Sequence, residues 1–328
     1  MVMAASATAA GAFAVRPMTV GAEIAGLTPG MEADPEIAAE LRAAWVDHGI
    51  LLFRDVASVD YHLSLSRVFG ELELHPYPEL RSALDPFLIE LGGVKRAPAY
   101  VYDERELRVN RIPWHRDSAF TPEVFEGAML RMVVPAREDG ETLLAYTAAA
   151  WYDLPAAIKQ RLDGLEYKAT LRLEYLDRTP AGALWQTMRR ATEAEDPGGR
   201  KSGLHDEAIP KRYPSVVQPV VLRHPASGRP CLLLSPSIID RFLGMEEAES
   251  EALLAMLMEH MLQPQYVYRH KWRANDAILW DNIRFMHAAP GHRIEDQRFA
   301  LRTTLAGAVR TGRYFDEGAA AVTPNFAD

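Results

Sequence analysis

Residues 216–236 read VVQPVVLRHPASGRPCLLLSP: two apolar runs on either side of a turn signal, HPASGRP. Proline, serine and glycine between two β-rich runs mark a hairpin. Outward from this hairpin the same texture recurs. GAMLRMVVP (127–135), GETLLAYT (140–147), DAILWDN (276–282) and RFALRTTLAG (298–307) are short apolar segments bounded by turn formers. No βαβ alternation and no glycine-rich phosphate loop accompany them, so the pattern predicts a mainly β domain with flanking helices, such as a jelly roll.

Three stretches read as helices. In PEIAAELRAAWVDH (35–48), Ile37, Leu41 and Trp45 fall at helical spacing and Gly49 is a natural stop. Ser58 can cap VDYHLSLSRVFG (59–70), and EAESEALLAMLMEHML (247–262) carries apolar residues at 253, 254, 257, 258 and 261. ILLFRDV (50–56) between the first two reads as a buried strand.

The chain has 328 residues, 48% of them hydrophobic, enough for a substantial core. A net charge of −9 argues against nucleic acid or an anionic membrane as the main partner. No run approaches the roughly 20 apolar residues of a membrane span. The single cysteine, Cys231, permits neither an intrachain disulfide nor a thiolate metal cluster, which fits a cytoplasmic protein. Residues 1–11 read as a flexible leader and 12–328 as one domain. Residues 175–213, polar and rich in glycine and proline, are too long for a passive connection and read as a lid insertion. A homo-oligomer is left open.

The chemistry begins at WHRDSAF (114–120). In an extended chain His115 and Asp117 would project to one face and Arg116 to the other. Most of the ten histidines have plain structural readings: His48 and His260 end helices, His62 lies within one, and His224 precedes a proline in the hairpin. His287 differs. It follows the strand AILWDN and reads as a strand-end residue beside a turn at Pro290 and Gly291, where it can face a cavity mouth. His115, Asp117 and His287 would form a two-histidine, one-carboxylate triad that leaves positions open on Fe(II).

The order His-x-Asp, then a distant histidine, then GHRIEDQRFALRTTL (291–305) resembles the taurine dioxygenase/TfdA family of Fe(II)- and 2-oxoglutarate-dependent dioxygenases. GAEIAGL, HGILLFRDV, FGELELHP, VVLRHPASGRP, AESEALLAMLMEH and HKWRANDAILWDN match family segments in the family's order, from about residue 12 to 312. The resemblance implies that Arg298, eleven residues past His287, holds the distal carboxylate of 2-oxoglutarate, helped by Thr142, twenty-seven past His115. It implies O2 as the other co-substrate, with oxidation, by default hydroxylation, of a substrate C–H bond and release of succinate and CO2. It also implies that Arg302 and His75 hold the anionic end of a small-molecule substrate, with Tyr77 and Asn110 nearby. Because the family's halogenases replace the carboxylate ligand with a small residue, Asp117 argues against halogenation.

Arginine offers a planar fork that binds carboxylate in a bidentate manner. Four residues apart on a strand, Arg298 and Arg302 face one side, so 2-oxoglutarate takes one fork and the other is left for a second anion. Upstream, GVKRAPAYVYDERELRVNRIPW (93–114) carries Lys95, Arg96, Tyr100, Tyr102, Arg105, Arg108 and Arg111. It reads either as a solvated charged loop or as a pocket for an acid larger than taurine, such as an aryloxyalkanoate, an alkyl sulfate or a carboxylated natural-product intermediate. Two other classes compete: a non-catalytic jelly-roll binding protein, and a zinc-dependent hydrolase with the same three ligands. Neither needs Thr142 and Arg298.

Overall fold

Alternation along the strands, inward apolar then outward apolar, organises a computed structural model of the chain. It describes residues 13–75, 80–92, 98–102, 106–171, 188–197, 213–307 and 309–316. The leader 1–11, most of 175–213, and Tyr77, Lys95, Arg96 and Arg105 lie outside the described residues.

Strands β1 (Ala14–Pro17) and β2 (Ala22–Ala25) lead into helix α1 (Pro35–His48), strand β3 (Ile50–Phe53) and helix α2 (Val59–Arg67). Then come β4 (Ile89–Gly92), β5 (Ile112–His115), β6 (Gly127–Val134) and β7 (Thr142–Tyr146), followed by α3 (Thr147–Asp153) and α4 (Ala156–Leu162). Helix α5 (Glu247–Met261) precedes β8 (Val267–His270), β9 (Ala277–Asp281), β10 (Phe285–Ala289) and β11 (Phe299–Leu305). A seven-stranded sheet runs β1-β2-β3-β9-β6-β11-β4 and a four-stranded sheet β8-β7-β10-β5. Only β2 and β3 pair in parallel; every other neighbour in these two sheets is antiparallel.

The two sheets face each other across Ile50 and Leu52 of β3, Leu130 of β6, Leu144 of β7, Trp280 of β9, Phe285 of β10 and Ala300 of β11. Their outward residues bury elsewhere. Leu51, Phe53, Met129, Leu279 and Leu305 pack beneath α1 and α2. Leu143, Ala145, Met286 and Ala288 pack towards α5 and the strand at Glu166–Ala169. A sheet buried on both faces has no polar alternation, hence the near-continuous apolar runs in the sequence. This is the expected jelly-roll core with flanking helices.

Helix α1 has its expected bounds, with Asp34 accepting from the amides of Glu36 and Ile37 and Gly49 closing it at φ 73°. A side chain at Gly49 would strike Phe285 Cε2 at 2.6 Å. Ser58 caps α2 as expected, but that helix ends at Arg67, short of the expected Gly70. The hairpin is present as Val221–Arg223 paired with Pro230–Leu232. His224 locks it by accepting from the Ser227 amide, while its other ring nitrogen meets Asp281 at 2.8 Å. Sequence reading missed α3 and α4. Neither has a side-chain cap, and Pro155 breaks the periodicity between them.

His62 is fully buried on α2, its Nε2 3.3 Å from the Met129 carbonyl. Burial, reinforced by Arg131, pushes its pKa down to about 3, below the unfolded value of 6.5. Between these values only the unfolded chain gains a proton, so stability present above pH 6.5 should be lost on acidification by up to about 1.4 kcal/mol per pH unit. Urea unfolding from pH 7 to 4 should show this slope, and His62→Gln should flatten it.

Candidate active site

Pro113 lies in β5, a position tolerable because β5 is the edge of its sheet. Trp114 turns outward into the layer beneath α5, so His115 turns inward. On β10, Met286 and Ala288 face outward with Trp114, so Phe285 and His287 face inward. The register sets His287 directly opposite His115, with ring centroids 4.1 Å apart. His287 thus sits in the middle of a strand, not at the strand end expected from the sequence, because β10 continues through the Ala288–Ala289 pair.

Asp117 corrects a second expectation. Strand β5 stops at His115, and Asp117 opens a turn in which Ser118 has φ 60°. It reaches the histidines from that turn and not from the shared strand face. Its Oδ1 lies 3.7 Å from His115 Nε2 and its Oδ2 3.7 Å from His287 Nε2. All three donor atoms fall within 4.8 Å of one another.

The donor set suits a metal ion. His115 Nδ1 lies 2.8 Å from the Pro113 carbonyl, which makes Nδ1–H the donor and leaves the Nε2 lone pair free. Burial, then the charge of His115, holds the His287 pKa well below its usual value, so the ring stays neutral. Burial alone would raise the Asp117 carboxyl, but Arg302 and the two imidazoles override it and hold the group well below the usual carboxylate range. Two imidazoles and a carboxylate, with no sulfur, fit a divalent ion with open positions better than a closed structural zinc.

Arg116, between the two ligands, was not singled out in the sequence. Pointing away from the donors and 3% exposed, it donates to the carbonyls of Leu232, Leu234, Asn282, Ile283 and Phe285 and to the Thr147 hydroxyl. Burial pushes its pKa down to about 10. The available signal was alternation: the residue after an inward His115 must enter the packed layer outside the sheet.

The facing sheet supplies cations. Ala300 lies in the inner layer and Leu301 beneath α2, so Arg302, and Arg298 just before the strand, take the inner side as expected. Arg298 Nε donates to the Gly140 carbonyl at 3.1 Å. Burial lowers its pKa to about 10, and no acidic side chain among the described residues pairs with it. Gly140, at φ 67°, lets the chain pass: a Cβ there would lie 3.2 Å from Arg298 Cδ. Thr142 is buried two residues on, its hydroxyl accepting from Trp272 Nε1 at 3.1 Å.

Arg302 does not stand apart as its expected role implied. Its Nη2 donates to Asp117 Oδ2 at 2.7 Å, while its Nε is buried with no hydrogen-bond partner among the described residues. Trp280 packs beside both halves of the site, 4.9 Å from the His287 ring and 5.7 Å from the Arg302 guanidinium. His75 is half-buried, its carbonyl accepting from Arg81. The Asn110 amide meets His292 Nε2 at 3.0 Å. Tyr77 lies outside the described residues. Upstream, Tyr100, Tyr102 and Arg111 are buried, with Arg111 stacked over Tyr100 and the Tyr102 hydroxyl on the Pro290 carbonyl, so these three do not belong to a solvated loop.

A family profile described as "Taurine catabolism dioxygenase TauD, TfdA family" matches residues 14–304. The chain belongs to the TauD/TfdA family. It is 28% identical to an (S)-phenoxypropionate/alpha-ketoglutarate-dioxygenase of Sphingobium herbicidovorans, over 90% of this chain and 96% of that one. It is also 28% identical to an alpha-ketoglutarate-dependent sulfate ester dioxygenase of Pseudomonas putida, over 89% and 88%. The fold of a taurine dioxygenase from Burkholderia xenovorans superposes with a TM-score of 0.71 at 24% identity, over 95% of this chain and 97% of that one.

Removing the Arg116 guanidinium strands several buried carbonyls, each worth about 1–3 kcal/mol when left unpaired. Arg116→Met should therefore cost at least about 3 kcal/mol in urea unfolding of the metal-free chain. A loss under about 1 kcal/mol would mean that water replaces the guanidinium.

Proposed function

We propose that this chain, an Fe(II)- and 2-oxoglutarate-dependent dioxygenase, oxidises a C–H bond of a small-to-medium organic anion with release of succinate and CO2. One observation carries the reading: three metal donors converge opposite a sheet whose buried Arg298 has no acidic partner among the described residues. Such a cation calls for an anion that arrives from outside.

His115, Asp117 and His287 would hold the iron, which when bound supplies open positions for the co-substrate and for O2. Arg298 binds the distal carboxylate of 2-oxoglutarate through its terminal nitrogens, its Nε being committed to Gly140. Thr142 adds a neutral hydrogen bond, its hydroxyl hydrogen left available because Trp272 donates to its oxygen. Arg302 binds the substrate's anionic group through its free Nε, with His75, Tyr77 and Asn110 contributing around it. Trp280 excludes water beside the reacting carbon.

The two relatives act, by name, on a phenoxypropionate and on sulfate esters, both organic anions, which supports the anion reading. The buried aromatic and basic residues Tyr100, Tyr102 and Arg111 favour an acid larger than taurine. Family membership and Arg298 together disfavour a hydrolase or a passive binding protein.

A hydrogen bond to a charged group is worth about 1.5–3 kcal/mol. Arg298→Leu should raise the apparent 2-oxoglutarate constant at least about tenfold, and Thr142→Ala less. At saturating Fe(II), Arg302→Leu should keep slow succinate release without substrate yet lose the stimulation that a carboxylate or sulfate substrate gives the parent. Succinate assays across carboxylates, sulfate esters and neutral analogues check both. A neutral substrate turned over equally by the parent and Arg302→Leu would refute the anion reading alone.

A further inference from the structure

Asp117 carries a donor atom yet lies past the end of its strand, so something other than sheet pairing must hold its backbone. That something is one side chain. Asn282 is fully buried in the turn between β9 and β10. Its Oδ1 accepts from the Asp117 amide at 3.0 Å, and its Nδ2 donates to the Asp117 carbonyl at 3.0 Å. This is the exchange that a hydrogen-bonded pair makes in an antiparallel ladder, here made by an amide side chain where the strand has ended. Nδ2 donates as well to the Phe125 carbonyl at 3.0 Å, beyond the Asp117 turn.

Asn282 is itself anchored. Its amide donates to the Glu126 carbonyl at 2.9 Å, and its carbonyl accepts from Arg116 at 2.6 Å. The turn that holds Asn282 leads, five residues on, to His287. The Asp117 turn and the His287 strand are therefore fastened through this side chain.

We propose that Asn282 is a positioning residue for the metal site, fixing Asp117 against the hairpin that carries His287. The inference rests on the assignment of Asp117 as a metal ligand. A partner that orients a metal ligand typically contributes 10–100-fold in metal affinity. Both Asn282 bonds run to the Asp117 backbone, so the effect travels through that backbone.

The test is calorimetric titration of Co(II) into the metal-free full chain, without 2-oxoglutarate, with circular dichroism to establish folding. Asn282→Ala should weaken Co(II) binding at least about tenfold, within the range typical of such partners. Asn282→Asp keeps an acceptor for the Asp117 amide and should fall between Asn282→Ala and the parent; it replaces Asn282→Ala throughout if the latter does not fold. In an Asp117→Ala background there is no carboxylate to position, so adding Asn282→Ala should change Co(II) affinity less than about twofold. Parent-like affinity in Asn282→Ala, or the same fractional loss in both backgrounds, would overturn the proposal. Unchanged affinity in Asp117→Ala alone would instead overturn the metal assignment.

Discussion

The fully buried Arg116 guanidinium is the interaction on which the site depends. A strand that sends His115 inward must send the next residue outward, and outward here is a packed, buried layer. A charge in that layer persists only if every donor is met. Its hydrogen bonds tie the end of β5 to Leu232, the last residue of the hairpin, to Leu234 just after it, and to the turn between β9 and β10. Both His115 and His287 are next to segments pinned by this one side chain.

The division of labour between the sheets follows. The four-stranded sheet and the turn after β5 bring the donors, and β11 of the seven-stranded sheet faces them with two guanidinium groups. In a layer of low effective dielectric these charges are weakly screened. Arg302 settles on Asp117 and keeps it ionised, whereas Arg298, among the described residues, rests on a carbonyl dipole. In the proposed reading, an incoming dicarboxylate would meet cationic charge at Arg298 and metal charge at the triad, which would orient it.

Much of this was legible in the sequence. Apolar runs bounded by turn formers gave the strands, and end signals such as Ser58 and Gly49 gave two helices, because these signals act within a few residues. Helices α3 and α4 lack caps and depend on tertiary packing, so they left no local mark. The identities of the three donors were legible, but their placement was not. Sequence spacing cannot tell that β5 ends at His115, nor that β10 runs on past His287, since both depend on register with strands far away in the chain. The pairing of Arg302 with Asp117 and the embedding of Arg116 are likewise products of contacts more than a hundred residues apart.

The most direct measurement is anaerobic titration of Fe(II) into the metal-free chain in the presence of 2-oxoglutarate, following the visible charge-transfer absorption of an iron-bound keto acid. The geometry calls for an absorption that saturates at one Fe(II) per chain, needs 2-oxoglutarate and is missing in His287→Ala. No such absorption in the parent, or an equal one in His287→Ala, would contradict the site assembled by His115, Asp117 and His287.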